Sequence, residues 1–235
     1  MKQLESQPFQ SKLNLNSEEF ENNKSSMLEM ISELNELLDE AEAGGGPEHH
    51  KRLAARGKLP VRERVFHFLD PDSPFLEISG LAAYKSEYPI GGGAFAGIGV
   101  SSGIECVIFA NDPTVLAGAM HFYSVKKWMR CMQIARDCRI PFIQFVESAG
   151  GDLRPRAGAA VGGMGHFAES GRQFYEITEL SKLNIPTVTV AFGTATAGGA
   201  YQPGMSDYNI FVKNQADVAL AGPPLVQMAT GEISS

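Results

Sequence analysis

The 235-residue chain is 43% hydrophobic and 20% charged, enough to bury one sizeable core with an appendage. Its formal charge of −7 and its pI near 5.3 argue against a nucleic-acid binder. No apolar run approaches the roughly 18 residues of a membrane span, and the start, Met-Lys-Gln-Leu-Glu-Ser, lacks the apolar stretch of a secretory signal, so a cytoplasmic protein is expected.

Residues 1–16 carry no pattern. Asn16 with Glu19 three residues on resembles a capping box, and Met27, Ile31, Leu34, Leu38 and Ala41 then recur at helical spacing. This predicts an amphipathic helix of about 25 residues stopped by Gly44-Gly45-Gly46-Pro47. Ser17 to Ala43 holds nine acids against Lys24, whereas Lys51 to Arg64 holds six bases against Glu63; the plain reading is two oppositely charged, solvated faces. Helices are predicted over 48–55 and from Pro60 to Leu69, followed by short β runs in "FLEIS", "FAGIGVSS" and "ECVIFAND", the last two forming a hairpin through Ser101-Ser102-Gly103. Ser124 to Arg139 reads as a helix with Val125, Trp128, Met132 and Ala135 inward and Lys126, Lys127, Arg130 and Arg136 largely on the other faces. His121 reads as a core or interface residue. The three cysteines, Cys106, Cys131 and Cys138, show no C-x-x-C spacing, and His49-His50 has no third ligand at a sensible distance, so no metal is expected.

A repeat then emerges. "IPFIQFVESAGG" (140–151) and "IPTVTVAFGTATAGGA" (185–200) share Ile-Pro, an apolar strand and a small-residue loop reaching glycines, with a predicted helix in "GGMGHFAESGRQFYEITELSKL" between them. "YNIFVK", "VALAG" and "PPLVQMATGE" add two strands and a helix. The alternation predicts an α/β fold with a parallel sheet, and the carboxyl ends of its strands are where such sheets place ligands. "TATAGGAYQ" lacks the Lys-Ser/Thr of a phosphate loop, and "GGGAFAG" (91–97) lacks the acidic partner of a dinucleotide fold. No G-x-S-x-G is present, and Ser148, Ser206 and His166 are each ordinary turn or cap residues. What remains is backbone chemistry. Glycines at a helix start let a ligand oxygen approach N–H groups closely, so "SAGG" and "AGGA" together suggest an oxyanion hole; tight strand-to-helix packing is the structural alternative.

The run "AGGAYQPGMSDYNIFVKNQADVALAGPPL" resembles the crotonase superfamily. More narrowly, "RGKLPVRERVFHFLDPDSPFLEI", "GIGVSSGIECVIFANDPTV", "VKKWMRCMQIA" and "AGPPLVQMATGE" are similar, in order, to the β subunits of biotin-dependent acyl-CoA carboxylases, nearest the methylcrotonoyl-CoA and geranyl-CoA branch. The resemblance implies a ClpP/crotonase-like fold of repeated β-β-α units. Residues 1–46 would form a helical segment before it, and 47–235 the first, acyl-CoA-binding of two tandem halves. It further implies biotin carried by a biotin carboxylase or biotin carrier subunit, a homo-oligomer that is a hexamer in the family, and an active site where halves of different subunits meet. In related hydratases a catalytic Glu aligns with Tyr201, and in signal-peptide peptidases a serine stands at Ala197; neither is present. The family mechanism does without them, because carboxybiotin releases CO₂ and the biotin anion takes the acidic proton while the protein holds the thioester oxygen. The residues carried over are Gly198 and Gly199 from one loop and Ala149 and Gly150 from the other as donors. Arg154 and Arg156 are expected on CoA phosphates or else on a solvated loop, Ala200 and Tyr201 on the substrate, and "RAGAAVGGMGH" reads as a flap over the acyl chain or as a plain flexible loop. Where family members often read SAGAR or SGGAN, this chain reads "SAGGDLRPR". Two other readings stand beside it: a non-catalytic CoA-binding scaffold, and a hydratase or isomerase using Glu147, Asp152 or Asp207.

Overall fold

The computed structural model of the chain describes residues 10–154 and 167–233. Helix α1 (Glu18–Ala43) is followed by α2 (Pro47–Ala55) and α3 (Val61–Phe68). Its N-cap is Ser17 rather than Asn16: the Ser17 hydroxyl accepts the Phe20 N–H at 3.2 Å, satisfying a donor that the helix leaves open. The apolar stripe of α1 divides. Leu38 and Ala41 lie against the body at Gly80 and Gly91, whereas Met27, Ile31 and Leu34 are 41–53% exposed. The turn after α1 docks through Gly45, whose N–H donates to Thr114 Oγ1 at 3.0 Å. A β carbon there would lie 1.9 Å from the Thr114 carbonyl oxygen, so only glycine permits the approach. His49 and His50 are not simply solvated: their rings bond the carbonyls of Gly45 and Ala43.

The sheet begins with β1 (Leu76–Glu77), β2 (Ala94–Ser101) and β3 (Ile104–Asn111), joined antiparallel. In the predicted hairpin, Ser101 pairs with Ile104, leaving Ser102 and Gly103, both at positive φ, as the two-residue turn. Asp70 accepts both turn N–H groups, at 2.6 and 2.7 Å. Helix α4 (Phe122–Cys138) crosses back, and β4 (Phe142–Ser148), α5 (Phe167–Lys182) and β5 (Thr187–Thr196) follow. A 3-10 turn (Ala197–Ala200), α6 (Tyr201–Gly204), β6 (Tyr208–Phe211), β7 (Asp217–Ala219) and α7 (Pro223–Thr230) complete the described chain. From β3 onward every pairing is parallel, as the Ile-Pro repeat predicted. Strand β5 is long enough to pair β6 along Val188–Ala191 and β7 along Thr194–Thr196.

The two sheet faces are covered differently. Val107, Phe109 and Phe142 meet Trp128, Met132, Ile177 and Leu180 of α4 and α5; Ile108, Ile143 and Phe145 meet Val61, Val65 and Leu69 on the α3 side. Alternation along β3 sends successive side chains to opposite layers, and burying each large apolar group contributes roughly 1.5–3 kcal/mol. One predicted outer residue is inside. Lys127 is buried, its ammonium donating to the carbonyls of Gly91 at 3.1 Å and Ala94 at 2.6 Å, and burial pulls its pKa down to about 8.

Cys106 and Cys131 are buried and Cys138 is exposed. Burial, aided by Asp70, pushes the Cys106 thiol up to about 11, and burial pushes Cys131 up to about 12. Titration of the native protein with a thiol-specific disulfide at pH 8 is expected to modify Cys138 alone within minutes, and all three thiols in denaturant. Burial of these neutral thiols carries no pH-dependent cost below the ordinary thiol value of 9.0, and stability is lost as pH climbs from there through about 11 for Cys106 and about 12 for Cys131. Cys131→Ala should flatten alkaline unfolding followed by circular dichroism.

Candidate functional site

The two glycine loops leave the carboxyl ends of neighbouring parallel strands. The last register pair of β4 and β5 is Ser148 with Ala195, after an irregularity at Val146. Beyond it the loops interlock. A β carbon on Gly199 would lie 3.1 Å from both Cβ and Oγ of Ser148, and one on Gly150, at φ 92°, would lie 3.0 Å from the Thr196 carbonyl oxygen. Larger residues would wedge the loops apart, which is the local reason for glycine at these two positions.

The loop after β4 is anchored on its far side by the segment before α4. Ala149 N–H donates to Ala117 O at 3.1 Å, Met120 N–H to Gly150 O at 2.7 Å, and Asp152 N–H to Met120 O at 2.7 Å. Gly150 N–H donates to Ser148 Oγ at 3.2 Å. Both backbone donors expected from this loop, Ala149 and Gly150, therefore have acceptors already. In the loop after β5, the turn Ala197–Ala200 opens with Ala197 at φ 50°, and the N–H groups of Ala197 and Gly198 have no acceptor within the turn. Space beside Gly198 is open. Tyr201 is 46% exposed with its ring 4.4 Å from Phe174.

A buried ion cluster sits one residue before Ser148. Glu147 receives Lys58 Nζ on Oε1 at 2.5 Å and Arg64 Nη1 on Oε2 at 2.7 Å. Arg64 Nε also donates to Leu59 O at 2.7 Å, and its guanidinium lies 4.9 Å from the Phe192 ring centre. The carboxylate stem fits against Gly193, where a β carbon would approach within 2.7 Å. The cluster ties the α2–α3 linker to the end of β4. The basic stretch is thus only partly a solvated face: Lys51, Arg52 and Arg56 are exposed, whereas Arg62 is also bidentate to Glu77 at 2.9 and 3.1 Å. What the sequence signalled was the charge balance of Lys51 to Arg64; what it hid was the distant Glu147 that part of that charge answers.

Above the strand ends lies a groove of about 480 Å³ walled by Ser148, Ala149, Thr196, Lys58 and Glu147. It shares Arg56, Pro113, Ala117 and Glu147 with a second cavity of about 510 Å³ that His49 and Arg52 line. Arg154 is drawn to its own loop instead: Nε and Nη2 reach the two oxygens of Asp152 at 2.8 and 3.0 Å, and that hydrogen bonding raises the guanidinium pKa still further. Arg156, His166 and the flap sequence lie outside the described residues. The carboxylates considered as bases are engaged too, Glu147 and Asp152 as above and Asp207 by the N–H and hydroxyl of Thr187, each at 2.8 Å. Ser206 belongs to a buried network with Gln202 O, Thr189 and Gln144, and His121 is buried, stacked on Tyr88 at 3.9 Å. Among the described residues no group of three His, Cys, Asp or Glu could hold a metal ion, and no helix is long and apolar enough to cross a membrane.

Residues 52–235, which include both loops and the ion cluster, match the carboxyl transferase domain family. The chain belongs to that family. It is 46% identical over 226 residues to the probable biotin-dependent acyl-coenzyme A carboxylase beta2 subunit of Mycobacterium tuberculosis, an alignment covering 96% of this chain and 41% of the relative. It is also 46% identical over 209 residues to the biotin-dependent 3-methylcrotonyl-coenzyme A carboxylase beta1 subunit of that organism, covering 88% and 39%. The crystal structure of the P. aeruginosa geranyl-CoA carboxylase beta subunit superposes with a TM-score of 0.83 at 38% identity, over 97% of this chain and 41% of that one. The fold is therefore the crotonase-type α/β arrangement that the family resemblance implied. The chain spans about two-fifths of the length of these relatives.

Removing one partner from a buried ion cluster leaves uncompensated charge. Glu147→Ala is expected to lower the unfolding free energy by about 3–5 kcal/mol, read from urea denaturation at pH 7. Lys182→Ala, which breaks an exposed pair with Glu179, should cost under about 1 kcal/mol.

Proposed function

We propose that this chain forms the acyl-CoA half of a biotin-dependent acyl-CoA carboxyltransferase and that its work is to hold the thioester oxygen while that oxygen becomes an enolate. The observation that carries the reading is the pair of interlocked loops at the strand ends, whose groove runs on to a cationic wall. The thioester carbonyl is placed between the turn 197–200 and the loop 148–151, with the N–H groups opening the turn, Gly198 first, donating to it. Gly199 and Gly150 are the residues that let the loops close. Each donor aimed at developing charge contributes about 3 kcal/mol to transition-state stabilisation, because the interaction strengthens only as the oxygen becomes anionic.

A hydratase needs a free side-chain base, and Glu147, Asp152 and Asp207 are each already committed to structural partners. Residues so arranged fit a reaction whose base arrives with the cofactor: carboxybiotin, borne by a partner subunit, supplies the carboxyl group and the proton acceptor. The biotin-facing half and the partner belong to the full-length oligomer. Arg52 and Arg56 are placed on the phosphates of CoA, in preference to Arg154, whose guanidinium is engaged with Asp152. Tyr201, with Ala200 beside it, borders the acyl chain.

The test is the full-length protein with its biotinylated partner, ATP, labelled bicarbonate and a panel of acyl-CoAs. Label should enter at least one branched α,β-unsaturated acyl-CoA; a successful hydration assay with no label in any thioester would end the reading. In the same assay Gly199→Val is expected to abolish labelling, because its side chain drives into Ser148, while circular dichroism stays native. Arg56→Ala should raise KM for acyl-CoA about tenfold with kcat nearly unchanged, since it removes binding common to ground and transition states.

A further inference from the structure

In the loop after β4 the two backbone donors are spent, Ala149 N–H on Ala117 O and Gly150 N–H on Ser148 Oγ. The Ser148 hydroxyl is a further donor of that loop. Ser148 is 1% exposed and lines the groove, and its Oγ lies at the junction of the loops, 3.1 Å from where a Gly199 β carbon would stand. Its oxygen accepts from Gly150, and among the described residues its own O–H is given to no acceptor. A hydroxyl both accepts and donates, and a hydrogen bond received by the oxygen strengthens the one that its proton gives.

Resting on the carboxyltransferase reading above, we propose that Ser148 is a catalytic residue, the side-chain donor that completes the oxyanion site. Gly150 N–H backs the Ser148 hydroxyl, and the Ser148 O–H donates to the thioester oxygen opposite the N–H of Gly198. No proton is transferred by Ser148; the hydrogen bond shortens as charge builds on the oxygen. Gly150 acts through Ser148 and is a positioning residue, which gives its N–H a part in the site without its touching the thioester.

The test uses the full-length protein with its biotinylated partner and two readouts. One is the split of kcat and KM for the acyl-CoA that the wild type carboxylates. The other is the infrared carbonyl band of that acyl-CoA, ¹³C-labelled at the thioester carbon and bound without ATP. In the wild type the bound band should fall well below its position in solution. Ser148→Ala removes a single oxygen atom and is expected to lower kcat about 100-fold, change KM less than about threefold, and return the band part-way toward its free position. Ser148→Cys, similar in shape with a weak donor, should stay close to the alanine variant. A Ser148→Ala protein with wild-type kcat, or one with lowered kcat but an unmoved band, overturns the proposal, the latter showing that the hydroxyl only shapes the loop. If the band of the wild type itself does not shift on binding, the placement of the thioester between the loops fails, and the role of Ser148 fails with it.

Discussion

The close approach of β4 and β5 at their carboxyl ends governs this molecule. Parallel strands run side by side until Ser148 faces Ala195, and only then do the chains leave the sheet, with Ser148 pressed on Gly199 and Gly150 on Thr196. Two loops from different places in the sequence thereby share one wall. In the proposed reaction the thioester oxygen is held there by groups that the sheet itself positions, and preorganisation is what makes such donors effective.

Electrostatics at the strand ends serves the same geometry. Glu147 sits beside the loop carrying a full charge in a buried place, which is costly unless paired on both oxygens. Lys58 supplies that pairing from the linker between α2 and α3 and Arg64 from the first turns of α3, and together they draw the basic stretch over the end of β4. Arg56 and Arg52, further along the same stretch, line the continuation of the groove. One charged segment thus anchors the loop at one end and lines the groove at the other. The α4 side of the sheet is organised by polar contacts as well: the Trp128 indole N–H donates to Gln144 at 2.8 Å, and Gln144 reaches Thr189 and Ser206, fixing the strands beneath the loops.

The glycine loops were legible because composition at strand ends is a local signal: small residues after an apolar run mean close backbone approach whatever the fold around them. Which hydrogens those loops offer was not legible. The family resemblance implied Ala149 and Gly150 as donors, yet their N–H groups are taken by Ala117 and Ser148, one of them more than 30 positions away in the chain. Lys127 was read as an outer residue because helical periodicity places it off the main apolar stripe; the carbonyls of Gly91 and Ala94, at the two ends of the left-handed glycine turn, receive its ammonium and bring it inside. The cap of α1 moved by one residue, from Asn16 to Ser17, because both can accept a hydrogen bond and only the backbone geometry selects between them.

By itself the sequence determined the order of strands and helices, the apolar face of α4, and the two loops that end the central strands, since periodicity and glycine placement act over a few residues. Only the tertiary structure decided that Glu147 answers Lys58 and Arg64, that Arg154 folds back on Asp152, and that the Ser148 hydroxyl lies between the two loops. Those pairings join residues as far as 89 positions apart or turn on a single side-chain rotation, and neither long-range charge compensation nor the choice among acceptors is written in local spacing.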